Sequence, residues 1–366
     1  MLVYILVFSI FMPYYITGTV LICVFLFVLI KKDCRVKLFE KPTLLFLLPF
    51  YLISFGSSIY YNNIPGIFCS IGIVAITTLY VYMNGVMTRR IYERSLDIAL
   101  MLSASVSMYA SIEMLYTMIT VMPNSYRSEG PFFNANYFAA ISVFCAITAA
   151  YKLFSPSRYK LFYMSVAMLN IVNMFISGSM LSWVALAAGL FVLLFVLKRY
   201  RLLVSALFLF AIMVVIVSLV PELMPRLIQA QYTGSQRLII WQTSLVQIVK
   251  TPWFGEGPLT YMLICKDIPT YQSQHAHNMI IEALLSYGLA GAVCLLCYVV
   301  KYYSDVISLL INGGKIRHLA LIMSISAAIM AWGLTDVVIF WIQTGLFVAF
   351  VLSGAGLKTG KTPEEA

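Results

Sequence analysis

Long apolar runs follow one another along most of the chain and are separated by short polar stretches. A run of about 20 apolar residues is long enough to cross the ~30 Å hydrocarbon core of a bilayer as a helix. The pattern therefore predicts an all-α, polytopic integral membrane protein that forms one membrane domain over residues 1–366, with about twelve transmembrane helices. The predicted helices cover residues 2–12, 15–30, 43–60, 64–82, 96–120, 135–151, 159–176, 180–197, 202–220, 279–300, 317–333 and 336–353.

The first 30 residues leave two arrangements open. Residues 2–12 are too few to cross the membrane alone. Met1 to Ile30 could form one long tilted helix, whereas Pro13 and Gly18 favour a break between two helices. A cleaved signal peptide is not expected, because this stretch lacks a basic start and a small-residue cleavage site.

Composition agrees with a membrane protein. Of the 366 residues, 62% are hydrophobic and 10% are charged, whereas about 25% are charged in a typical soluble domain. The net charge of +10 would favour a nucleic-acid partner in a soluble protein. Here the basic residues are distributed as membrane topology requires, so a lipid bilayer and no nucleic acid is the expected partner. Of the seven cysteines, Cys265 alone falls in the longest polar loop, so no disulfide is expected there.

The Lys and Arg residues assign a side of the membrane to each connection. Nineteen of the 24 fall in alternate connections and in the C-terminal tail, which the positive-inside bias places in the cytoplasm. The longest connection, residues 221–278, lies between the ninth and tenth predicted helices and is therefore expected to be extracytoplasmic. The positive-inside bias does not explain the five basic residues on this outward side, so they are functional candidates: Arg127, Arg226, Arg237, Lys250 and Lys266.

An amphipathic helix is predicted inside the 221–278 loop. Leu238, Trp241 and Leu245 belong to an apolar stripe at helical spacing, with Ser235 as the expected N-cap. The helix should end before Pro252, where a Gly-rich turn follows. Such a helix can lie on the membrane surface or cap the helical bundle, and Trp241 is interpreted as an anchor at the membrane interface.

Two histidines precede the tenth predicted helix. His275 and His277 are two residues apart, so an extended segment would direct both side chains to the same side. A histidine at a water–membrane boundary suits general-base chemistry, with interfacial hydrogen bonding as the alternative. A metal site is disfavoured because no third ligand occurs at a familiar spacing, so neither metal nor cofactor is expected. Glu282 follows Asn278 by one helical turn inside an apolar run and is a functional candidate for that reason.

Five short motifs occur in a characteristic order. They are Arg-x-x-Gly-x-Phe-x-Asn-x-Asn (127–136), Arg-x-x-x-Trp (237–241), Pro-x-x-Gly-x-Gly (252–257), His-x-His-Asn (275–278) and Gly-x-x-Gly (288–291). Each motif is loose alone. Their order, spacing and outward placement together resemble the O-antigen ligase and O-antigen polymerase superfamily, over roughly residues 120–300.

The resemblance implies a metal-independent glycosyltransferase in the bacterial cytoplasmic (inner) membrane, with its active site facing the periplasm or the cell exterior. Such enzymes move an oligosaccharide or polysaccharide from an undecaprenyl-diphosphate carrier to a sugar hydroxyl of a glycan or glycolipid acceptor. The products are lipopolysaccharide, exopolysaccharide or other cell-envelope polysaccharides. Arg127 and Arg237 match the diphosphate-binding arginines of the family, and His277 matches its proposed base. We further expect a set of substrate-binding residues: Arg226, Asn136, Trp241, His275, Asn278 and Glu282.

The residue types suit this chemistry, although two positions depart from the family pattern. Arginine binds phosphate oxygens in pairs through its planar guanidinium group. Met180 stands in a Ser-rich stretch where the family often has a basic residue, and Ala135 replaces a common proline. Arg226 is the candidate replacement for the missing cation.

A second class of function stays open at the level of sequence. A polytopic transporter or flippase of lipid-linked glycans would use mid-membrane ionisable groups, for which Glu113, Glu282 and Asp336 are available. Such proteins often contain internal repeats, and none is found here. Within the transferase class, no residue distinguishes a ligase from a polymerase or identifies the sugar.

Overall fold

The structure, a computed structural model, describes residues 1–40, 42–120, 127–220, 230–266, 272–312 and 317–357, with residues 230 and 231 described by their backbone alone. Over these ranges the regular secondary structure is entirely helical. The α-helices are α1 (Leu2–Ser9), α2 (Tyr14–Ile30), α3 (Lys32–Phe39), α4 (Thr43–Tyr60), α5 (Ile64–Val86), α6 (Arg89–Thr120), α7 (Ala135–Leu153), α8 (Lys160–Ile176), α9 (Met180–Val196), α10 (Tyr200–Leu219), α11 (Ala230–Lys250), α12 (Thr260–Ile264), α13 (Met279–Asn312), α14 (Arg317–Gly333) and α15 (Ile342–Ser353). Short 3-10 turns cover Gly130–Phe132, Val338–Phe340 and Gly354–Gly356.

Six of these helices are long and apolar enough to cross a membrane, namely α4, α5, α6, α7, α10 and α13. A seventh candidate arises if α2 and α3 form one span, bent by 89°. Four shorter apolar helices, α8, α9, α14 and α15, complete the apolar set among the described residues. The prediction of an all-helical membrane protein is confirmed, whereas the total of twelve spans stays a prediction. The N-terminal stretch forms two helices, because α1 ends at Ser9 and α2 begins after Pro13.

The central helix of the bundle is α7. Nearly all of its side chains are buried, and it packs against α8, α9 and α14. Small residues such as Ala139, Ala140 and Ala146 are almost inaccessible and allow neighbouring helices to approach closely. In α10, by contrast, Leu203 is the one buried side chain, so the other apolar side chains of that helix are available to face lipid.

The connections predicted to face outward meet at one end of the bundle, which we call the site end. It comprises residues 10–13, 61–63, 127–134, 177–179, 251–266, 272–278 and 334–341. Hydrogen bonds join these connections and the adjoining helix starts in pairs: Arg127 Nε to Ser177 O at 2.7 Å, Asn63 Nδ2 to Pro258 O at 2.8 Å, Asn278 Nδ2 to Leu334 O at 2.9 Å, and Gln343 Nε2 to Met12 O at 2.5 Å. Segments far apart in sequence are therefore brought into one surface.

Basic residues predicted to be cytoplasmic lie at the opposite end. Arg317 Nη1 donates to Phe154 O at 2.9 Å, which joins the start of α14 to the end of α7. Lys152 is buried at the same end and forms ion pairs with Glu93 at 2.8 Å and Asp97 at 2.9 Å. The two ends thus differ in charge as the expected alternation of connections requires, and the assignment of the site end to the outside stays a prediction.

Single-cysteine labelling tests that orientation. Ser235 is exposed on α11, and Arg158 is exposed at the opposite end of the bundle. In a background without other reactive cysteines, Ser235→Cys should react with a membrane-impermeant maleimide in intact cells, once any outer membrane is permeabilised. Arg158→Cys should react only after the cytoplasmic membrane is lysed. The reverse labelling pattern would contradict an outward-facing site.

Candidate functional site

The Gly-rich turn at 252–257 fits into a kink of α13. At Gly288 the backbone leaves helical geometry, with φ 61° and ψ −171°. The turn supplies the hydrogen bonds that the kink removes: Leu289 N to Pro252 O at 2.8 Å, Ala290 N to Trp253 O at 2.9 Å, Glu256 N to Leu285 O at 3.3 Å, and Gly257 N to Ser286 O at 2.8 Å. A β-carbon at Gly288 would lie 2.3 Å from the carbonyl carbon of Trp253, so only glycine fits there.

The connection between α4 and α5 holds the same turn from the other side. Asn63 Nδ2 donates to Glu256 O at 3.0 Å and to Pro258 O at 2.8 Å. Asn63 Oδ1 accepts from Gly66 N at 2.8 Å and so caps α5. The turn after α11 is therefore fixed between α13 and the connection from α4 to α5, which sets the position of α11 relative to α13.

Glu282 fixes the backbone of the two-histidine segment. Its carboxylate is completely buried, Oε2 accepts from Ala276 N at 2.7 Å, and Oε1 accepts from Ser286 Oγ at 2.9 Å. Ala276 lies between the two histidines. Glu282 was predicted to bind substrate, and the structure gives it hydrogen bonds that hold His275 and His277 in place.

Asn278 begins α13. Its Oδ1 accepts from the backbone nitrogens of Ile280 at 2.9 Å and Ile281 at 3.1 Å, as an N-cap does. Its Nδ2 donates to Leu334 O at 2.9 Å and ties the histidine segment to the connection between α14 and α15. Both the oxygen and the nitrogen of the side-chain amide thus form hydrogen bonds with backbone groups. The expected role of Asn278 in substrate binding stays a prediction.

The two histidines converge on Asp336. His275 Nε2 lies 2.8 Å and His277 Nδ1 lies 3.0 Å from Oδ1 of Asp336, and the centroids of the two rings are 4.5 Å apart. Asp336 is 2% exposed, and its Oδ1 also accepts from Val337 N at 2.8 Å. Both rings face Asp336 and so lie on the same side, as predicted, but the segment is not extended, because His277 has φ 50°. The expectation that no third potential ligand lies nearby is wrong, because the chain returns to the histidines after α14.

Charge is concentrated on this cluster. Burial alone would raise the pKa of Asp336, but hydrogen bonds from His275 and His277 lower it below its ordinary value. Burial alone would lower the pKa of His275. The hydrogen bond to Asp336 and the negative charges of Asp336 and Glu282 nevertheless raise that pKa overall, while the positive charge of Arg237 opposes the rise. The site therefore keeps an ionised carboxylate beside an imidazole that holds its proton to higher pH than free histidine.

His277 is the more accessible imidazole. Its side chain is 19% exposed, against 11% for His275. If Nδ1 carries the proton donated to Asp336, Nε2 has a free lone pair, and Ser273 Oγ lies 3.0 Å from that atom. The backbone of His277 has φ 50°, a left-handed conformation that residues other than glycine rarely adopt and that concentrates at functional sites.

Arg127 is joined to the cluster through Asn136. Arg127 Nη2 donates to Asn136 Oδ1 at 2.8 Å, and Asn136 Nδ2 donates to Asp336 Oδ2 at 3.0 Å. Asn134 caps α7, because its side chain accepts from Asn136 N at 2.8 Å. A continuous series of hydrogen bonds therefore leads from Arg127 to His277.

Helix α11 brings Arg237 close enough for its charge to act on His275. Arg237 is half-buried, and no hydrogen bond or ion pair with another described residue engages its guanidinium group. Trp241 packs against the buried cluster around Ile240, and its indole Nε1 is buried without a partner in the described part of the chain. Trp241 is therefore partly packed into the protein, and its role as an anchor at the membrane interface stays a prediction. Ser235 lies inside α11, which begins at Ala230, so the predicted N-cap is wrong.

Arg226 was expected to replace the basic residue that is missing at position 180. It lies outside the described residues, so its role stays a prediction. Met180 is the first residue of α9, and the preceding connection accepts a hydrogen bond from Arg127 at Ser177 O. Arg127 thus places a guanidinium group beside the stretch where the family often has its additional cation.

One group among the described residues could hold a metal ion, namely His275, His277 and Asp336, whose donor atoms lie within 4.8 Å of one another. Two imidazoles and one carboxylate are a ligand set that zinc and non-haem iron sites use. In the present geometry the same atoms bond to one another, with Asp336 Oδ1 as the shared acceptor. A metal would have to replace these hydrogen bonds, so an ion and the hydrogen-bonded cluster are mutually exclusive.

Sequence reasoning missed Asp336 and Ser273 as members of the site. The last predicted helix was started at residue 336, which left almost no connection after α14. In the structure α15 begins at Ile342, and residues 334–341 form a loop with one 3-10 turn. An acidic side chain in an outward connection was the available signal for Asp336, whereas nothing distinguished Ser273 from other loop serines.

Comparison with known proteins identifies one family. A family model described as O-antigen ligase matches residues 163–296. The range contains Arg237, Trp241, the 252–257 turn and both histidines, whereas Arg127 and Asp336 lie outside it. No curated protein matches the chain. The match over residues 163–296 supports a relationship of the chain to the O-antigen ligase and O-antigen polymerase superfamily.

Proposed function

We propose that the protein is a glycosyltransferase that moves a glycan from an undecaprenyl-diphosphate carrier to a sugar hydroxyl of a glycan or glycolipid acceptor, at the outer face of the bacterial cytoplasmic membrane. The observation that carries the proposal is the hydrogen-bonded series Arg127–Asn136–Asp336–His277. It joins a cation suited to a phosphate group with a base suited to a hydroxyl group. The family match supports the broader role in ligase- or polymerase-type glycan processing.

His277 is the proposed general base. The acceptor hydroxyl would approach Nε2 near Ser273 Oγ, which already lies within hydrogen-bond distance of that nitrogen. Asp336 would hold the ring with Nδ1 protonated and stabilise the imidazolium that forms when Nε2 takes the proton. Glu282 contributes indirectly, because it fixes Ala276 between the two histidines.

Arg237 and Arg127 are the proposed ligands of the diphosphate. Arg237 is free of hydrogen bonds and ion pairs with the described residues, so its paired donors are available to phosphate oxygens. Arg127 is already held by Ser177 and Asn136 and would act as a fixed cation. Fixed donors stabilise developing charge without having to reorganise during the reaction.

The transfer step balances with these groups alone. The bond from the anomeric carbon to the diphosphate oxygen breaks, and its electron pair leaves with the diphosphate. A new bond forms from the anomeric carbon to the acceptor oxygen, and the proton of that hydroxyl passes to His277 Nε2. Attack opposite the leaving group inverts the anomeric carbon. Because arginines neutralise the leaving group, the scheme is metal-independent.

A transporter would need ionisable groups near the middle of the membrane. Glu113 follows Arg94 by 19 residues, about 28 Å along α6 at 1.5 Å per residue, so it lies far from the basic end of that helix. Glu282 is in the first turn of α13, and Asp336 is in a connection at the site end. The placement of these three carboxylates at one end of the bundle favours a transferase over a transporter.

Arg237 provides the first test of the proposal. Cells that lack the protein should accumulate a lipid-linked glycan, which then serves as donor for purified protein in nanodiscs. Arg237→Ala should reduce the transfer rate roughly a hundredfold, equivalent to about 2–4 kcal/mol of lost transition-state stabilisation. Arg237→Lys should also lose most activity, because a lysine keeps the charge but not the paired donors.

The matched control for this test is Arg201→Ala. Arg201 is an exposed arginine on α10 at the opposite end of the bundle, and its replacement should leave transfer unchanged. Near-normal transfer by Arg237→Ala at wild-type protein levels would contradict the diphosphate role. Wild-type protein that transfers nothing from the accumulated donor would contradict the proposed function itself.

A further inference from the structure

Two adjoining cavities form a groove along α1 and α6. The larger, of about 1080 Å³, is lined by Arg127 and by Val106, Tyr109 and Glu113 of α6. The smaller, of about 450 Å³, is lined mainly by α1 and reaches Ile98 of α6. Met12 lines both cavities, so they are neighbours along the same helices.

The groove extends from the site end into the membrane-spanning part of the bundle. One end of the groove lies at the site end, because Glu113, which lines the groove, accepts a hydrogen bond at Oε2 from Ser128 Oγ of the site end at 3.2 Å. From Glu113 to Ile98 the helix axis covers about 22 Å at 1.5 Å per residue, a large part of the ~30 Å hydrocarbon core. A groove of this length can take a substantial part of a lipid chain.

The polarity of the groove changes along its length. Among the described residues, the charged side chains that line it are Arg127, Glu113 and Glu129, which lie towards the site end. The inner cavity is walled by apolar side chains such as Ile5, Phe8 and Val20, with Tyr4 and Ser9 as its polar members. Ser9 directs its hydroxyl to Leu6 O at 2.8 Å, so it offers no unsatisfied donor to a ligand.

We infer that this groove binds the isoprenoid chain of the lipid-diphosphate donor, an inference that rests on the proposed function. The chemical groups of such a donor follow the order lipid chain, diphosphate, anomeric carbon. The protein presents matching surroundings in the same order: the apolar groove, then Arg127, then the Asn136–Asp336 link to His277.

The two carboxylates at this end of the groove fit this assignment. Glu113 and Glu129 would repel a diphosphate that moved down into the groove, whereas a neutral hydrocarbon chain beyond them is not repelled. The diphosphate is therefore held on the side of Arg127 that faces Asn136. This charge arrangement fixes the direction in which the donor lies and brings the anomeric carbon towards the base.

Filling the groove tests the inference by binding alone. Val106→Trp adds bulk to the wall of the larger cavity, and Met108→Trp is the matched control, because Met108 is exposed on the same helix and does not line the groove. The probes are undecaprenyl diphosphate and farnesyl diphosphate, with protein in detergent or nanodiscs. Wild-type protein and Met108→Trp should bind the long chain at least tenfold more tightly than the short one. Val106→Trp should lose most of that preference, because its affinity for undecaprenyl diphosphate should fall much further than its affinity for farnesyl diphosphate.

Two other results would overturn the inference in distinguishable ways, and a third makes Leu102→Trp the deciding variant. If Val106→Trp keeps the full chain-length preference and only displaces co-purified phospholipid, the groove holds ordinary bilayer lipid. If Val106→Trp weakens the binding of both diphosphates equally, the variant disturbs the diphosphate site or the fold. Leu102→Trp, at another position in the groove, then decides. The inference stands if this variant abolishes the chain-length preference without weakening both diphosphates equally, and it fails otherwise. If wild-type protein binds neither probe and Arg237→Ala changes nothing, the donor class is wrong and the proposed function fails together with the inference.

Discussion

His277→Ala should reduce glycan transfer by about a thousandfold, within the 10²–10⁴ range that a positioned general base contributes. The loss should fall on kcat, because His277 is bonded to Asp336 and Ser273 and not to either proposed diphosphate ligand. Donor affinity should therefore change little. The measurement is the transfer rate at saturating donor and acceptor, with donor binding recorded separately on the same preparation.

His275→Ala is the matched control for that variant. His275 shares the Asp336 oxygen and lies beside His277, but it is the more buried of the two rings, so its removal should be milder. EDTA should leave the wild-type rate unchanged. If EDTA removes activity and zinc restores it, and if both histidine variants are equally inactive, the cluster is a metal centre and the base assignment is wrong.

The sequence predicted the helical membrane class and the connections that meet at the site end, because hydrophobic length and basic-residue distribution are local signals. It also predicted the end of α11 before Pro252 and the turn that follows. The motif residues turned out to have two kinds of role. Gly288 maintains the backbone around the 252–257 turn, together with Asn63 from outside the motifs, whereas Arg127 and His277 belong to the hydrogen-bonded site.

The part that sequence missed depends on contacts between distant segments. Asp336 belongs to the site because α14 returns the chain to the site end. The hydrophobic pattern had placed Asp336 inside the last predicted helix. Trp241 occupies a position that an amphipathic pattern assigns equally well to lipid or to the protein interior. Its packing against a buried cluster that includes residues from other segments favours the protein interior, and that information lies outside the helix itself.

Asp336→Asn should lower kcat by about a thousandfold, because an equivalent change at a carboxylate that orients a catalytic imidazole removes up to ~10⁴. The asparagine has nearly the same size, but its amide group can donate to His277 Nδ1. That bond would favour the tautomer with a proton on Nε2, which cannot accept a proton from the acceptor hydroxyl. Binding of the donor diphosphate should persist, because Arg237 does not depend on Asp336.

A separation of kcat from donor affinity distinguishes this positioning role from simple loss of structure. Asp336→Glu should recover part of kcat, since it restores the negative charge with altered geometry. The control is Asp305→Asn, because Asp305 is an exposed carboxylate on α13 whose ion pair with Lys301 at 2.6 Å contributes little in solvent. Its replacement should leave transfer and thermal stability unchanged. If Asp336→Asn retains near-normal kcat, or loses donor binding and thermal stability to the same degree as kcat, then Asp336 has no specific role in orienting His277, and the base proposed for the transfer loses its support.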